Sequence, residues 1–383
     1  MRCGLWPAHR STVPEDIAAK FGTRNMKATV LTEFGGPEVL HYMEVPEPRA
    51  GDGEIVVRVH SVSVNRTLDC VVRAGKYPVT IQLPHVLGVD PAGEVVEVGP
   101  GVDNFKHGDR VATISLIPCL SCKQCHEGLE ANCVASKHLG LHLWGGYAEY
   151  VAVPARNAFK IPDNLSFAEG TVIVRHFPMA FNLLTNKTTV KPGEWTLVMG
   201  AAGALGSCCV QVAKMLGATV IGAAGADDRV ELAKSYGADF GINYRTQNLL
   251  EEVMRLTDGN GVDIVCENIA DPTLWPHAFA SLAIGGRMVT AGAHGGGTVA
   301  LNVKSLYLRR ISIFGAAGTN PPDVEKALSA ARGKKIRAMT YRAMPLTAAT
   351  EAHRIVEQNQ VTGKVILEPI ANASSVYGAN RPW

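Results

Sequence analysis

The sequence predicts an α/β fold in which a doubly wound parallel sheet follows a mostly β domain, and three observations carry that expectation. A glycine-rich stretch at 195–206, W-T-L-V-M-G-A-A-G-A-L-G, joins an apolar run to an amphipathic helical pattern. Strand-like and helix-like segments then alternate as far as residue 291. Upstream, short apolar runs punctuated by Gly and Pro read as strands.

In the glycine stretch, Leu197, Val198 and Met199 form a buried strand, and Cys209, Val212, Ala213 and Leu216 recur at helical spacing. Glycines between them let the backbone approach a pyrophosphate, and the helix start offers N–H groups and a positive dipole end. Gly203 and Gly206 take the second and third positions of the dinucleotide fingerprint, with Ala204 and Leu205 between them. The first position is Ala201, preceded by Gly200, a departure from G-x-G-x-x-G. Alone, such a turn is only a tight strand-to-helix corner. Strands expected at 219–223, 240–243, 262–267 and 287–291, with helices at 227–236, 249–256 and 272–282, make it the first crossover of a Rossmann dinucleotide-binding domain.

A chain of 383 residues has room for two or three domains. Its 46% hydrophobic and 19% charged residues are those of a globular protein. A net charge of +2 without a long basic run leaves out the electrostatic footprint of a nucleic-acid binder. No apolar run reaches membrane-spanning length. Residues 1–25 read as an N-terminal extension without the apolar core of a secretory signal, so a cytoplasmic protein is expected.

From Met26 the chain turns β-rich, with strands at 28–32, 54–62 and 93–98. Ile55, Val57 and Val59 make one apolar face opposite Val56, Arg58 and His60. Cys119, Cys122, Cys125 and Cys133 follow as C-x2-C-x2-C-x7-C. Four thiolates in one short loop close a tetrahedral Zn²⁺ site with no position left for substrate, so the metal is structural. An iron–sulfur cluster could use the same cysteines, and His126 is a rival ligand. Residues 145–154 resume strand pattern, and 167–184 is helical in tendency, bent or divided by Pro178. Beyond the nucleotide fold come a strand at 311–314, helices at 323–331 and 348–358, and a late strand at 363–367 expected to return to the first domain.

With these residues in view the chain resembles the medium-chain dehydrogenase/reductase superfamily, which includes zinc alcohol dehydrogenases and quinone or enoyl reductases. The markers are L-G-V-D-P-A-G at 87–93, V-G-P-G-V at 98–102, G-D-R-V at 108–111, the cysteine lobe, G-G-Y-A-E at 145–149 and the glycine turn, and together they span 26–369. The resemblance implies a GroES-like catalytic domain at 26–178 and 319–383, a zinc lobe at 119–133 and a Rossmann NADP-binding domain at 179–318, with the active site in the cleft between them. Members with a catalytic zinc place a cysteine where this chain has Asn65, and Gly-His-Glu where it has Gly88-Val89-Asp90. Their third ligand would fall near 173–175, where no cysteine occurs. The resemblance thus implies that the structural zinc is kept and the catalytic one lost. Asn65, with Arg73, Gly75 and Tyr77, is similar to the zinc-free quinone and enoyl reductase branch.

Without zinc, polarisation of a substrate must come from hydrogen-bond donors or a cation aimed at a developing oxyanion. Asn65 and Tyr77 lie in segments that face the cleft in the relatives, and Arg175 and His176 interrupt a helix that relatives keep apolar. These four are the candidate catalytic residues. His138, His142, Trp144 and His294 are weaker candidates for the pocket rim.

For the cofactor, the second nucleotide-fold strand ends in G-A-A-G-A at 222–226, without the carboxylate that NAD-preferring folds place there. Gly225 leaves room for a 2′-phosphate, Arg229 could pair with it, and Tyr244 could donate to it. Ala291, Ala293 and Phe314 complete the expected cofactor-contacting set. Asp227 and Asp228 count against NADPH unless they serve the helix start. The expectation is an NADPH-dependent oxidoreductase, preferring NADP(H) over NAD(H), that reduces an activated C=C bond or a quinone. The alternatives are an alcohol dehydrogenase or carbonyl reductase and a non-catalytic nucleotide-binding protein. Its partners are a small-molecule substrate and a second copy, as a homodimer or dimer of dimers paired at the 311–314 edge, with no nucleic acid and no membrane.

Overall fold

A computed structural model describes residues 21–358 and 363–369. The chain divides into two compact units, one comprising residues up to Arg175 and from Thr340 onward, the other His176–Met339. Among the described residues no helix is long and apolar enough to cross a membrane.

The first unit is β-rich. Its larger sheet runs Ala158–Lys160, Arg110–Thr113, Ala92–Val98, Glu54–Ser63, Lys364–Glu368, Thr340–Pro345, and Tyr150–Pro154 also pairs with Glu54–Ser63. The late strand does return to this unit, with Ile366 opposite Ser63. A smaller sheet joins Leu40–Pro48, Phe21–Leu31 and His85–Val86. Val57, Val59, Leu87, Tyr147 and Val365 meet in one buried core. The strand Phe21–Leu31 takes in part of the expected extension: Asn25 lies opposite Pro46. Thr23, Arg24 and Asn25 are exposed and polar, so the pairing here is supplied by the neighbouring backbone and not by an apolar alternation. Residues 1–20 and the tail at 371–383 lie outside the described residues.

The helix Phe167–Phe181 is not divided by Pro178. Proline removes one backbone donor, but Phe177, Ala180 and Phe181 around it are buried, and packing holds the helix through the gap. A widened turn at Asn182–Lys187 ends it.

The second unit is a six-stranded parallel sheet ordered Phe240–Asn243, Thr219–Ala224, Trp195–Met199, Val262–Glu267, Leu282–Thr290, Ser312–Gly315. Its core gathers Leu197, Ile221, Ile242, Val265 and Met288. Residues 319–339, expected with the catalytic domain, fall in this unit. Asn186 donates to the carboxylate of Asp323 at 3.0 Å, and Gln211 exchanges two hydrogen bonds with the backbone of Arg337, at 2.8 and 3.1 Å. These contacts fix helix Pro321–Arg332 and the chain after it to the nucleotide fold.

Candidate active site

Four short segments of the first unit bring ionisable side chains to one place. Glu54–Ser63 ends at Ser63, Asn65 precedes a widened helical turn at Arg66–Cys70 that carries Asp69, the loop after His85–Val86 supplies Asp90, and Lys364 opens the last strand. Arg175 joins them from the long helix. The Lys364 ammonium donates to Asn65 Oδ1 at 2.7 Å and to the Val64 carbonyl at 3.3 Å. Arg175 Nε donates to the same Oδ1 at 3.3 Å and lies 3.9 Å from Asp90 Oδ2. Asn65 Nδ2 points the other way, to Asp90 Oδ2 at 3.3 Å and Ser63 Oγ at 3.2 Å. Ser63 holds Asp90 through both its N–H and its hydroxyl, at 2.9 and 2.5 Å. Asp69 accepts from the N–H groups of Asn65, at 2.7 Å, and Gly88, at 3.2 Å.

These groups are buried, apart from Arg175, whose side chain keeps 26% exposure. Burial, followed by the nearby Asp90 charge, pushes the Asp69 carboxyl up to about 6. Burial also brings the Lys364 ammonium down to about 8, against the pull of Asp90. A second metal does not fit this constellation: the donors are one amide and two carboxylates already committed to one another, and two cations share the amide oxygen.

Of the other candidates, Tyr77 is half-buried against the first unit's core. His176 follows Arg175 on one helix and therefore points about 100° away around its axis. His138 and His142 stack with ring centres 5.9 Å apart, and the His138 N–H donates to His142 Nδ1. Burial, His142 and then the Arg175 charge hold His138 below its ordinary value. His294 and Ala293 are exposed, while Ala291 and Phe314 are half-buried near the ends of the last two parallel strands.

The four lobe sulfurs lie within 4.8 Å of one another, 3.5 Å from Cys122 to Cys125 and 3.9 Å from Cys122 to Cys133. Zinc–sulfur bonds of about 2.3 Å at tetrahedral angles place sulfurs about 3.8 Å apart, so the set fits a single Zn²⁺. His126 is exposed and stands outside the group. The hairpin of Leu116–Ile117 with Lys137–His138 closes the base of the lobe.

In the second unit, Trp195–Met199 runs into Gly200 at φ 63°, and Gly203 precedes helix Ala204–Met215 without a side-chain cap. A Cβ on Gly206 would meet the Gly200 carbonyl oxygen at 2.1 Å, so only glycine lets helix and turn close this tightly. The turn lies between Trp195–Met199 and Val262–Glu267, where the strand order reverses, the place where such sheets take a dinucleotide. Gly200, Gly203 and Gly206 thus form a cradle suited to a pyrophosphate. Tyr244 covers Gly225, whose added Cβ would stand 3.0 Å from the tyrosine ring. Arg229 is half-buried in the first turn of helix Asp227–Ser235, and Asp227 accepts from Asn243 at 2.7 Å.

Lys364, Asp69 and Asp90 are given no catalytic role by the sequence. One signal was available: Lys364 stands alone before the apolar run V-I-L, a cation at the mouth of a buried strand. Asn268 was also missed; it is buried at the end of Val262–Glu267 with neither amide atom hydrogen-bonded.

Comparison with known proteins agrees with this architecture. The family described as "Alcohol dehydrogenase GroES-like domain" matches residues 51–163, and "Zinc-binding dehydrogenase" matches 204–332. The chain is 30% identical to a quinone oxidoreductase of Homo sapiens over 356 residues, covering 90% of this chain and 98% of that protein. It is 33% identical to an NAD-dependent alcohol dehydrogenase of Sulfolobus acidocaldarius, covering 90% and 99%. The solved structure of AibC superposes with a TM-score of 0.87 at 32% identity, covering 95% of this chain and all of that one.

Proposed function

The chain belongs to the medium-chain dehydrogenase/reductase superfamily and is an oxidoreductase, and from that premise we propose that it reduces an activated C=C bond or a quinone with NADPH and without a catalytic metal. One observation carries the reading. Where the resemblance puts the ligands of a catalytic zinc, this chain has Asn65, Asp90 and Arg175, and with Lys364 from the last strand they satisfy one another as an ion network.

The nucleotide would lie along Gly203, Ala204, Leu205 and Gly206, and when bound it supplies a hydride. Arg175, the partly exposed cation, would bond the acceptor's carbonyl oxygen and offset the negative charge that builds there as the hydride arrives. A proton from water completes the reduction. Asn65 plays no direct part in that bond, because both ends of its amide are occupied inside the protein. Preference for NADPH rests on Arg229 and Tyr244 beside a strand end that lacks a carboxylate. Cys119, Cys122, Cys125 and Cys133 would hold one structural zinc.

A panel of enones, quinones, aldehydes and alcohols, run with NADPH and NADH side by side, tests this. Turnover confined to alcohols and aldehydes would move the protein to the alcohol dehydrogenase reading. Failure to bind any nicotinamide nucleotide would make it a non-catalytic member.

A further inference from the structure

We propose that Lys364 is the positioning residue of this site: its ammonium fixes the Asn65 amide and, through the shared Oδ1, aims the Arg175 guanidinium at the substrate. The inference rests on Arg175 being the substrate-facing group.

The geometry leaves the Asn65 amide one orientation. Its oxygen accepts from Lys364 at 2.7 Å and from Arg175 at 3.3 Å, which uses both lone pairs. Its nitrogen donates toward Ser63 and Asp90, at 3.2 and 3.3 Å. Turning the amide over would set an NH₂ group against two cations and an oxygen against a carboxylate. Of the two cations, Lys364 makes the shorter bond and is the better anchored. It opens a strand whose Val365 carbonyl accepts from the Val64 N–H at 2.9 Å and whose Ile366 pairs with Ser63. Lys364 therefore arrives from 299 positions away in a place set by the sheet.

Two like charges meeting on one oxygen repel, and the pair persists because Asp90 and Asp69 face it from the other side. The groups that face the Lys364 ammonium electrostatically are Asp90, Arg175, Asp69 and Cys70. Only Arg175 among the bonded members retains substantial exposure, so the network has one outlet. Without the ammonium, the amide is free to rotate, Arg175 loses its only hydrogen bond to the network, and the guanidinium can swing to Asp90. Misplacing a reacting-centre group by an ångström costs on the order of a hundredfold in rate.

The test uses Lys364→Met in the full chain with two readouts. In the nucleotide-free protein, the Arg175 Nε–H resonance that the bond to Asn65 protects from exchange, identified by its loss in Arg175→Lys, is expected to disappear. With NADPH and an enone or quinone acceptor, kcat/KM is expected to fall by about a hundredfold, nucleotide Kd staying within about twofold. The double variant Lys364→Met/Arg175→Met should be no slower than Arg175→Met alone, since the lysine acts through the arginine. An unaltered Arg175 resonance, or losses that multiply in the double variant, would overturn the proposal. If uncompensated carboxylates keep Lys364→Met from folding, Lys364→Met/Asp69→Asn restores the charge balance and is read against Asp69→Asn in the same way. A wild-type protein that reduces no acceptor would defeat the proposed reaction, while the resonance would still decide the role of Lys364.

Discussion

Tyr147 and His353 meet edge to face in the core of the first unit, the tyrosine hydroxyl 3.1 Å from His353 Nε2. The other ring nitrogen, Nδ1, lies 3.6 Å from the Cys70 sulfur. A neutral imidazole has one donor and one acceptor nitrogen, so these two partners suffice for it and leave no counter-ion for a charged ring. Burial, then the Arg73 charge, brings His353 down to about 3.

That depressed value sets a pH dependence. In the unfolded chain the ring protonates near 6.5, so the unfolded state gains protons first as pH falls. The contribution of His353 is fully present above about 6.5 and is lost progressively down to about 3. Asp69 works the other way: raised to about 6 in the folded protein, its contribution is present below 3.8 and lost as pH rises through 6. Urea unfolding of wild type and His353→Gln between about pH 4.5 and 6 isolates the histidine. The variant should show a slope smaller by up to about 1.4 kcal/mol per pH unit; equal slopes would contradict it.

Asn65→Ala removes the partner shared by Lys364 and Arg175 and one donor to Asp90. A hydrogen bond to a charged group is worth about 1.5–3 kcal/mol, so a loss of about 3 kcal/mol or more is expected at neutral pH. Thermal and urea unfolding measure it. Asn65→Cys should bind no second metal, because both cations remain in place, and elemental analysis reads that outcome.

Metal analysis of the wild-type chain should give about one zinc, lost in Cys122→Ser. Loss of zinc should lower Tm and open the loop at 119–133 to proteolysis, since without the metal the lobe is left with the two-strand pairing at its base and the half-exposed Arg156–Glu130 ion pair. A full zinc complement in Cys122→Ser would refute the four-thiolate site.

Arg229→Ala should raise the KM for NADPH by about tenfold, the equivalent of about 1.4 kcal/mol, and change that for NADH by less than about twofold. Tyr244→Phe should act in the same direction and more weakly. Equal losses with both nucleotides would remove the 2′-phosphate assignment.

Ser312–Gly315 is one edge of the parallel sheet, and helix Val303–Leu308 beside it in sequence exposes Val303, Tyr307 and Leu308 at 61, 64 and 56%. An open strand edge with exposed apolar side chains nearby is suited to a second copy of this chain. Sedimentation should show a dimer, converted to monomer by Tyr307→Glu/Leu308→Glu. An unchanged sedimentation coefficient in that variant would place the interface elsewhere.

The sequence alone determined the parts of this protein that depend on local chemistry. The glycine turn, the alternation behind it and the cysteine spacing each follow from residues close together in the chain, because backbone freedom, hydrophobic period and ligand reach are short-range properties. Hence the strand at 262–267, the helix at 249–256 and the four-sulfur cluster are found where they were expected. The fate of Pro178 was not legible, because burial of its neighbours overrides the local rule. Nor was the ion network. Asn65 and Arg175 stand 110 positions apart and Lys364 a further 189 along; the pairing of the last strand with Glu54–Ser63 brings Lys364 to Asn65, and the helix Phe167–Phe181 brings Arg175. A buried charge is tolerated only where partners converge on it, and that convergence belongs to the tertiary structure.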